Sequence, residues 1–248
     1  MKIVQNEFDV RPLGNALVQV KKLGNVTEVR YMTKKSEMPI TKINADGYVV
    51  NSTGEYKEFN RTETRAESKA NVSQSLKRLR DILNTNVTDS SKSLWLTLTY
   101  DINMRDPVRL YNDFKNFNKR LRYYMRSNVF PEYEYIVCCE PQSRGAWHCH
   151  VVLIFESKAP YIPNSKIATI WAQGFTKTKS LKDVTNVGIY LTAYMTDIEL
   201  SELPRNEQKD RQFKMVEVND NGQVAEKRIV KGGRLHFYPK GFRIYRTS

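Results

Sequence analysis

The chain has 248 residues, with 40 lysines and arginines against 27 carboxylates and a formal net charge of +13. Hydrophobic residues make up 40% of it, enough to fill the core of one elaborated domain or two small ones, and no apolar run approaches the roughly 18 residues that cross a bilayer. This balance argues against a small-molecule enzyme or a membrane-spanning protein and points to a polyanionic partner, nucleic acid before an anionic membrane surface. The opening MKIVQNEFDV lacks the basic-then-apolar order of a secretory signal. Cys138, Cys139 and Cys149 are an odd number in strand-like segments, so they read as buried, reduced thiols of a cytoplasmic protein.

Residues 16–32 predict a hairpin, two β-rich runs around a Gly-Asn turn. The segment 33–60 is polar and turn-rich, with a tight turn over residues 51–54. A helix follows from about Thr62 to Leu83, with Val72, Leu76, Leu79 and Leu83 as one apolar stripe and Arg65 and Arg78 among the basic residues on its other faces. Those cations are either a solvated face or phosphate contacts. Ser93 to Tyr100 alternates bulky and threonine residues, a strand with Thr97 and Thr99 on one face. Asp106-Pro107 opens a helix whose buried stripe is Leu110, Phe114, Phe117, Leu121 and Tyr124. Tyr133 to Glu140 is a second strand, and Pro141 to Gly145 turns it back into Trp147 to Phe155.

Two of the three histidines, His148 and His150, lie one residue apart at the start of that last strand, ahead of the apolar run Val151 to Phe155. On a strand they present two imidazoles side by side while Cys149 faces the other way. That is half of a metal site, or an ordinary pair on a half-exposed strand. The hairpin brings Glu140 back toward His148. Ser165 to Ala172 predicts a short helix stopped by Gly174, and Asn186 caps a further helix to about Leu200 with Val187, Leu191, Met195 and Ile198 inward. On that helix Tyr190 and Tyr194 emerge together, offset from the stripe, and Asp197 stands on the same face one turn on. The pair is either packing and rim or a source of nucleophiles. After a charged connector, residues 201–212, the tail predicts two hairpins, Phe213 to Val230 and Arg234 to Arg246 around Pro239-Lys240-Gly241. The second interleaves basic and aromatic residues, suited to phosphate contact and base stacking. Together the elements predict an α+β fold with a mostly antiparallel sheet and helices packed on it.

In their order, the 94–100 strand, Glu140, His148-Cys149-His150 and Tyr190-x-x-x-Tyr194 resemble the HUH endonucleases, specifically the rolling-circle replication initiators of plasmids and single-stranded-DNA phages. The resemblance runs from about Ser93 to Thr196, with the tail from Gly232 to Arg243 in support. It implies an RRM-like core with a five-stranded antiparallel sheet in residues 93–248, residues 1–92 being an N-terminal elaboration that contacts DNA. It implies His148, His150 and Glu140 as ligands of Mg²⁺ or Mn²⁺, Tyr194 as first nucleophile and Tyr190 as second. The partners it implies are single-stranded origin DNA, with a stem-loop, and the helicase and polymerase of a bacterial host cell. Arg144, Arg234, Lys240 and Arg243, with Arg65 and Arg78, are the candidate DNA contacts. Relaxases and transposases share the same nicking chemistry, and a non-enzymatic nucleic-acid-binding protein would explain the charge alone. One residue departs from the family pattern: Asp197 stands where relatives commonly carry lysine, which leaves it as a base, an outer ligand, or neither.

Overall fold

The computed structural model describes residues 14–32, 38–59, 69–181, 184, 186–192, 195–203, 205–209, 212–220 and 223–248. Tyr194, Arg65 and the expected start of the first helix lie outside the described residues, and of Tyr190 only the backbone is described. The N-terminal hairpin forms as expected from β1 (Leu17–Leu23) and β2 (Val26–Met32), with Gly24 at φ 54° in the turn. The polar segment after it is more ordered than its composition predicts. β3 (Ile40–Lys42), β4 (Gly47–Val50) and β5 (Tyr56–Glu58) form a small antiparallel sheet, and the expected tight turn joins the last two.

The first helix, α1 (Lys69–Asn86), continues three residues past the expected Leu83. It leads through a 3-10 turn at Ser90–Lys92 into β6 (Ser93–Thr99) and α2 (Pro107–Ser127). Asp106 caps α2 as its sequence predicts, accepting from the Val108 and Arg109 amides at 2.8 and 3.3 Å. Its last buried side chain is Met125; Tyr124 is only half-buried, its ring set against Phe130. Then come β7 (Tyr133–Pro141), β8 (Trp147–Phe155), α3 (Asn164–Trp171) and β9 (Thr176–Ser180). The cap that ends α3 is Ala172 at φ 55°, ahead of the glycine expected to stop it.

The expected five-stranded antiparallel sheet is present, in the order β13-β7-β8-β6-β9, where β13 is Tyr245–Thr247. Strand periodicity gives it two unlike faces. One carries Leu96, Leu98, Val137, Cys139, Cys149, Val151 and Leu153, all at most 2% exposed. Aromatic side chains link that core to the helices, with Phe114 of α2 edge-on to Tyr135 and Phe117 edge-on to Trp171 of α3. The other face carries Thr97, Thr99, Glu140, His148 and His150 in adjoining register.

Two expectations fail in the last third of the chain. The helix from Asn186 is short: α4 spans Val187–Thr192, capped as expected by Asn186 Oδ1 on the Ile189 amide. Met195 and Thr196 form a turn, and Ile198 belongs to β10 (Ile198–Glu199), paired with Val230. Asp197 therefore does not lie on a helical face with the tyrosines. A 3-10 turn at Leu200–Glu202 and α5 (Arg205–Gln208) replace the structureless connector. The hairpin of β11 (Lys214–Asp220) and β12 (Gln223–Val230) forms as expected. The expected second hairpin from Arg234 to Arg246 does not. Residues 235–237 make a 3-10 turn, and β13 crosses to pair with β7, Tyr245 opposite Cys138. Edge-strand pairing with β7 satisfies more backbone groups than a local hairpin would. No helix among the described residues is long and apolar enough to cross a membrane.

Candidate metal centre

The β7–β8 hairpin builds the site. Gly145, at φ 82°, makes the turn that only glycine enters readily, and the register that follows sets Glu140 directly opposite His148 and Cys138 opposite His150. Trp147, buried and stacked on Phe242 of the tail at 4.5 Å, fixes the strand just before the first histidine. Its indole N–H donates to the Arg105 carbonyl at 2.9 Å.

Three ligand atoms converge. His148 Nε2 and His150 Nε2 are 3.0 Å apart, and Glu140 Oε2 lies 3.4 Å from the first and 3.2 Å from the second. Glu140, His148 and His150 are the group among the described residues able to hold a metal ion, their ligand atoms all within 4.8 Å of one another. Thr97 Oγ1 lies 3.4 Å from His150 Nδ1. A proton on that Nδ1, donated to the hydroxyl, leaves the Nε2 lone pair turned toward the cluster. Burial holds His148 down to about 4; burial, then the neighbouring His148, holds His150 down to about 3. Both rings are neutral near pH 7, the form that ligates. Two neutral imidazoles and one carboxylate fit a divalent cation.

The same depression has a sign in stability. Unfolded histidine binds its proton near pH 6.5, before the buried rings do, so stability falls as pH drops from about 6.5 toward 3. Melting curves taken in EDTA between about pH 7 and pH 5 should decline more steeply for wild type than for His148→Gln/His150→Gln. Equal slopes would count against this account of the buried pair.

The remaining candidates are scattered. Arg144, in the turn beside the cluster, is exposed, its Nε donating to Gln142 Oε1 at 3.0 Å. Arg78, Lys240 and Arg243 are exposed on α1 and the tail. Arg234 is not an open cation: its side chain is 15% exposed and ion-paired with Glu140 Oε1 and, at 3.4 Å, with Glu202 Oε2. Sequence reading passed over Lys177 and Lys179, both exposed on β9. Lys177 lies opposite Thr97, which lies opposite His150, so these lysines share the sheet face of the cluster. The alternation of TKTKS was their signal.

With that geometry established, comparison adds one finding. Residues 93–199 match the family model of the replication-associated protein ORF2. The match supports a replication-associated protein of the rolling-circle kind. It begins on the first residue of β6 and spans Glu140, His148, His150, Tyr190 and Tyr194. No curated protein and no solved structure matches the chain.

Proposed function

We propose that the chain nicks single-stranded DNA at a replication origin through a tyrosine nucleophile and leaves a free 3′ hydroxyl for synthesis. The observation that carries this reading is the convergence of Glu140 Oε2 with the two Nε2 atoms inside the replication-associated match. Those three residues would hold Mg²⁺ or Mn²⁺, which when bound supplies polarisation of a phosphate oxygen, worth several kcal/mol of charge stabilisation. The protein's part is the nucleophile and its placement. Tyr194 Oη attacks phosphorus, the bond from phosphorus to O3′ breaks, and the 5′ phosphate stays on the tyrosine. The phenol gives up its proton and the departing O3′ takes one up. An unperturbed phenol has a pKa near 10, so about one in a thousand is ionised at neutral pH, which is why an activated phosphate is required. Because the linkage keeps the energy of the phosphodiester, rejoining needs no ATP. Tyr190 supplies a second attack before the first linkage is resolved. The sequence has no Gly-x-x-x-x-Gly-Lys-Ser/Thr, so unwinding falls to a host helicase and synthesis to a host polymerase. Lys177, Lys179 and Arg144, exposed near the cluster, would contact backbone phosphates.

The test uses a randomised pool of single-stranded oligonucleotides with Mn²⁺. Label at the 3′ end should move onto protein as a protease-sensitive band on a denaturing gel, label at the 5′ end should not, and EDTA should abolish the band. Tyr194→Phe should lose the first adduct and Tyr190→Phe retain it. An adduct that survives in the double variant, or in EDTA, refutes the mechanism.

A further inference from the structure

The Gly232-Gly233-Arg234 turn touches two parts of the site at once. Its Gly232 amide donates to Asp197 Oδ1 at 2.8 Å, and its Arg234 amide donates to the Thr196 carbonyl at 2.9 Å. Thr196 and Asp197 follow Tyr194 in sequence by two and three positions. From the same turn the Arg234 guanidinium reaches Glu140 Oε1, leaving Oε2 facing the two imidazoles, while its other arm meets Glu202. The turn is built for close approach. Gly232 sits at φ 67°, and a Cβ on Gly233 would meet Ile198 Cγ2 at 2.3 Å. Leu235, next along, is buried at 4% exposure and anchors the exit.

We propose that Asp197 and Arg234 are positioning residues: Asp197 pins the Gly232 turn, and the turn delivers Arg234 to orient the Glu140 carboxylate, so that one brace ties the segment after Tyr194 to the metal ligands. This rests on the metal-dependent reading above. It gives Asp197 a role that depends on its being a hydrogen-bond acceptor and not on its charge. It moves Arg234 from DNA contact to support of a ligand. A planar guanidinium can bridge two carboxylates with fixed geometry, which an ammonium cannot. Orienting partners of metal ligands typically matter ~10- to 100-fold in affinity.

Charge-matched variants isolate the effect. Asp197→Asn and Asp197→Ala both remove the negative charge, but only alanine removes the acceptor. Titration with Mn²⁺ by calorimetry should give Asp197→Asn an affinity close to wild type and Asp197→Ala one about tenfold weaker. In an Arg234→Ala background that difference should vanish, because the brace has lost its far end. Arg234→Lys, which keeps the charge, should also bind Mn²⁺ more weakly than wild type and supplies the answer if Asp197→Ala does not fold. Equal affinities for Asp197→Asn and Asp197→Ala, a difference that persists without Arg234, or wild-type binding by Arg234→Lys would each overturn the brace. Wild-type protein that binds no Mn²⁺ would overturn the metal reading and the brace with it. Wild type that binds Mn²⁺ yet forms no adduct would refute only the nicking chemistry.

Discussion

Replacing His148 or His150 with alanine should lower the single-turnover rate of adduct formation at least about a thousandfold, equivalent to about 4 kcal/mol of transition-state stabilisation. Each ring contributes one of three converging atoms, 3.0 Å from its neighbour and no more than 3.4 Å from the carboxylate. No other histidine can substitute: His236, the third in the chain, is exposed in the tail with its ring against Phe237. His236→Ala therefore serves as the control and should cleave at the wild-type rate. The two ligand variants should also lose Mn²⁺ binding by calorimetry while retaining wild-type circular dichroism, since both rings sit partly open on the sheet face. Cleavage by His150→Ala within tenfold of wild type would remove the cluster from the chemistry.

The second large effect concerns a residue that touches no ligand. Gly188 lies in α4 where that helix meets α1, and its amide donates to the buried Asn84 Oδ1 at 2.8 Å. A Cβ there would lie 2.7 Å from the Arg80 carbonyl oxygen and 2.7 Å from Asn84 Oδ1. Gly188→Val should therefore push the two helices apart, at about 1–3 kcal/mol of stability, which for a chain of this size lowers the melting midpoint about 2–4 °C per kcal/mol. Because α4 carries Tyr190 and runs toward Tyr194, cleavage should fall roughly a hundredfold, the usual consequence of a displacement near 1 Å at a reacting group. Mn²⁺ affinity should stay at the wild-type value, because β7 and β8 supply the ligands. A variant that keeps wild-type cleavage with a lowered midpoint would show that the α1–α4 contact does not place the tyrosines.

Much of the centre was legible because it is local. Alternation on a strand placed His148 and His150 together, and a four-residue turn fixed the register that returns Glu140 to them. The cap at Asp106 was legible for the same reason. The α4 region misled because Val187, Leu191, Met195 and Ile198 satisfy helical spacing while the last of them is buried through pairing with Val230, 32 residues away. Helical and strand burial ask for the same apolar side chain, and only the distant partner distinguishes them. β3, β4 and β5 escaped notice because they bury little and carry no alternating apolar face. Arg234 looked like a surface cation since its neighbours in sequence are basic and aromatic. Its carboxylate partners lie 94 and 32 positions away.

That long separation also orders events during synthesis. Glu140 leaves the ribosome 94 residues before Arg234, roughly 5–20 s at ordinary elongation rates. In that interval β7 can pair with β8, yet its other edge waits for β13 and its glutamate for a guanidinium. A growing chain can thus form the hairpin that carries the ligands long before it holds them in working order. Competence to cut DNA becomes a property of the finished polypeptide, and an N-terminal fragment released early from the ribosome would bind nucleic acid through its charge without breaking it.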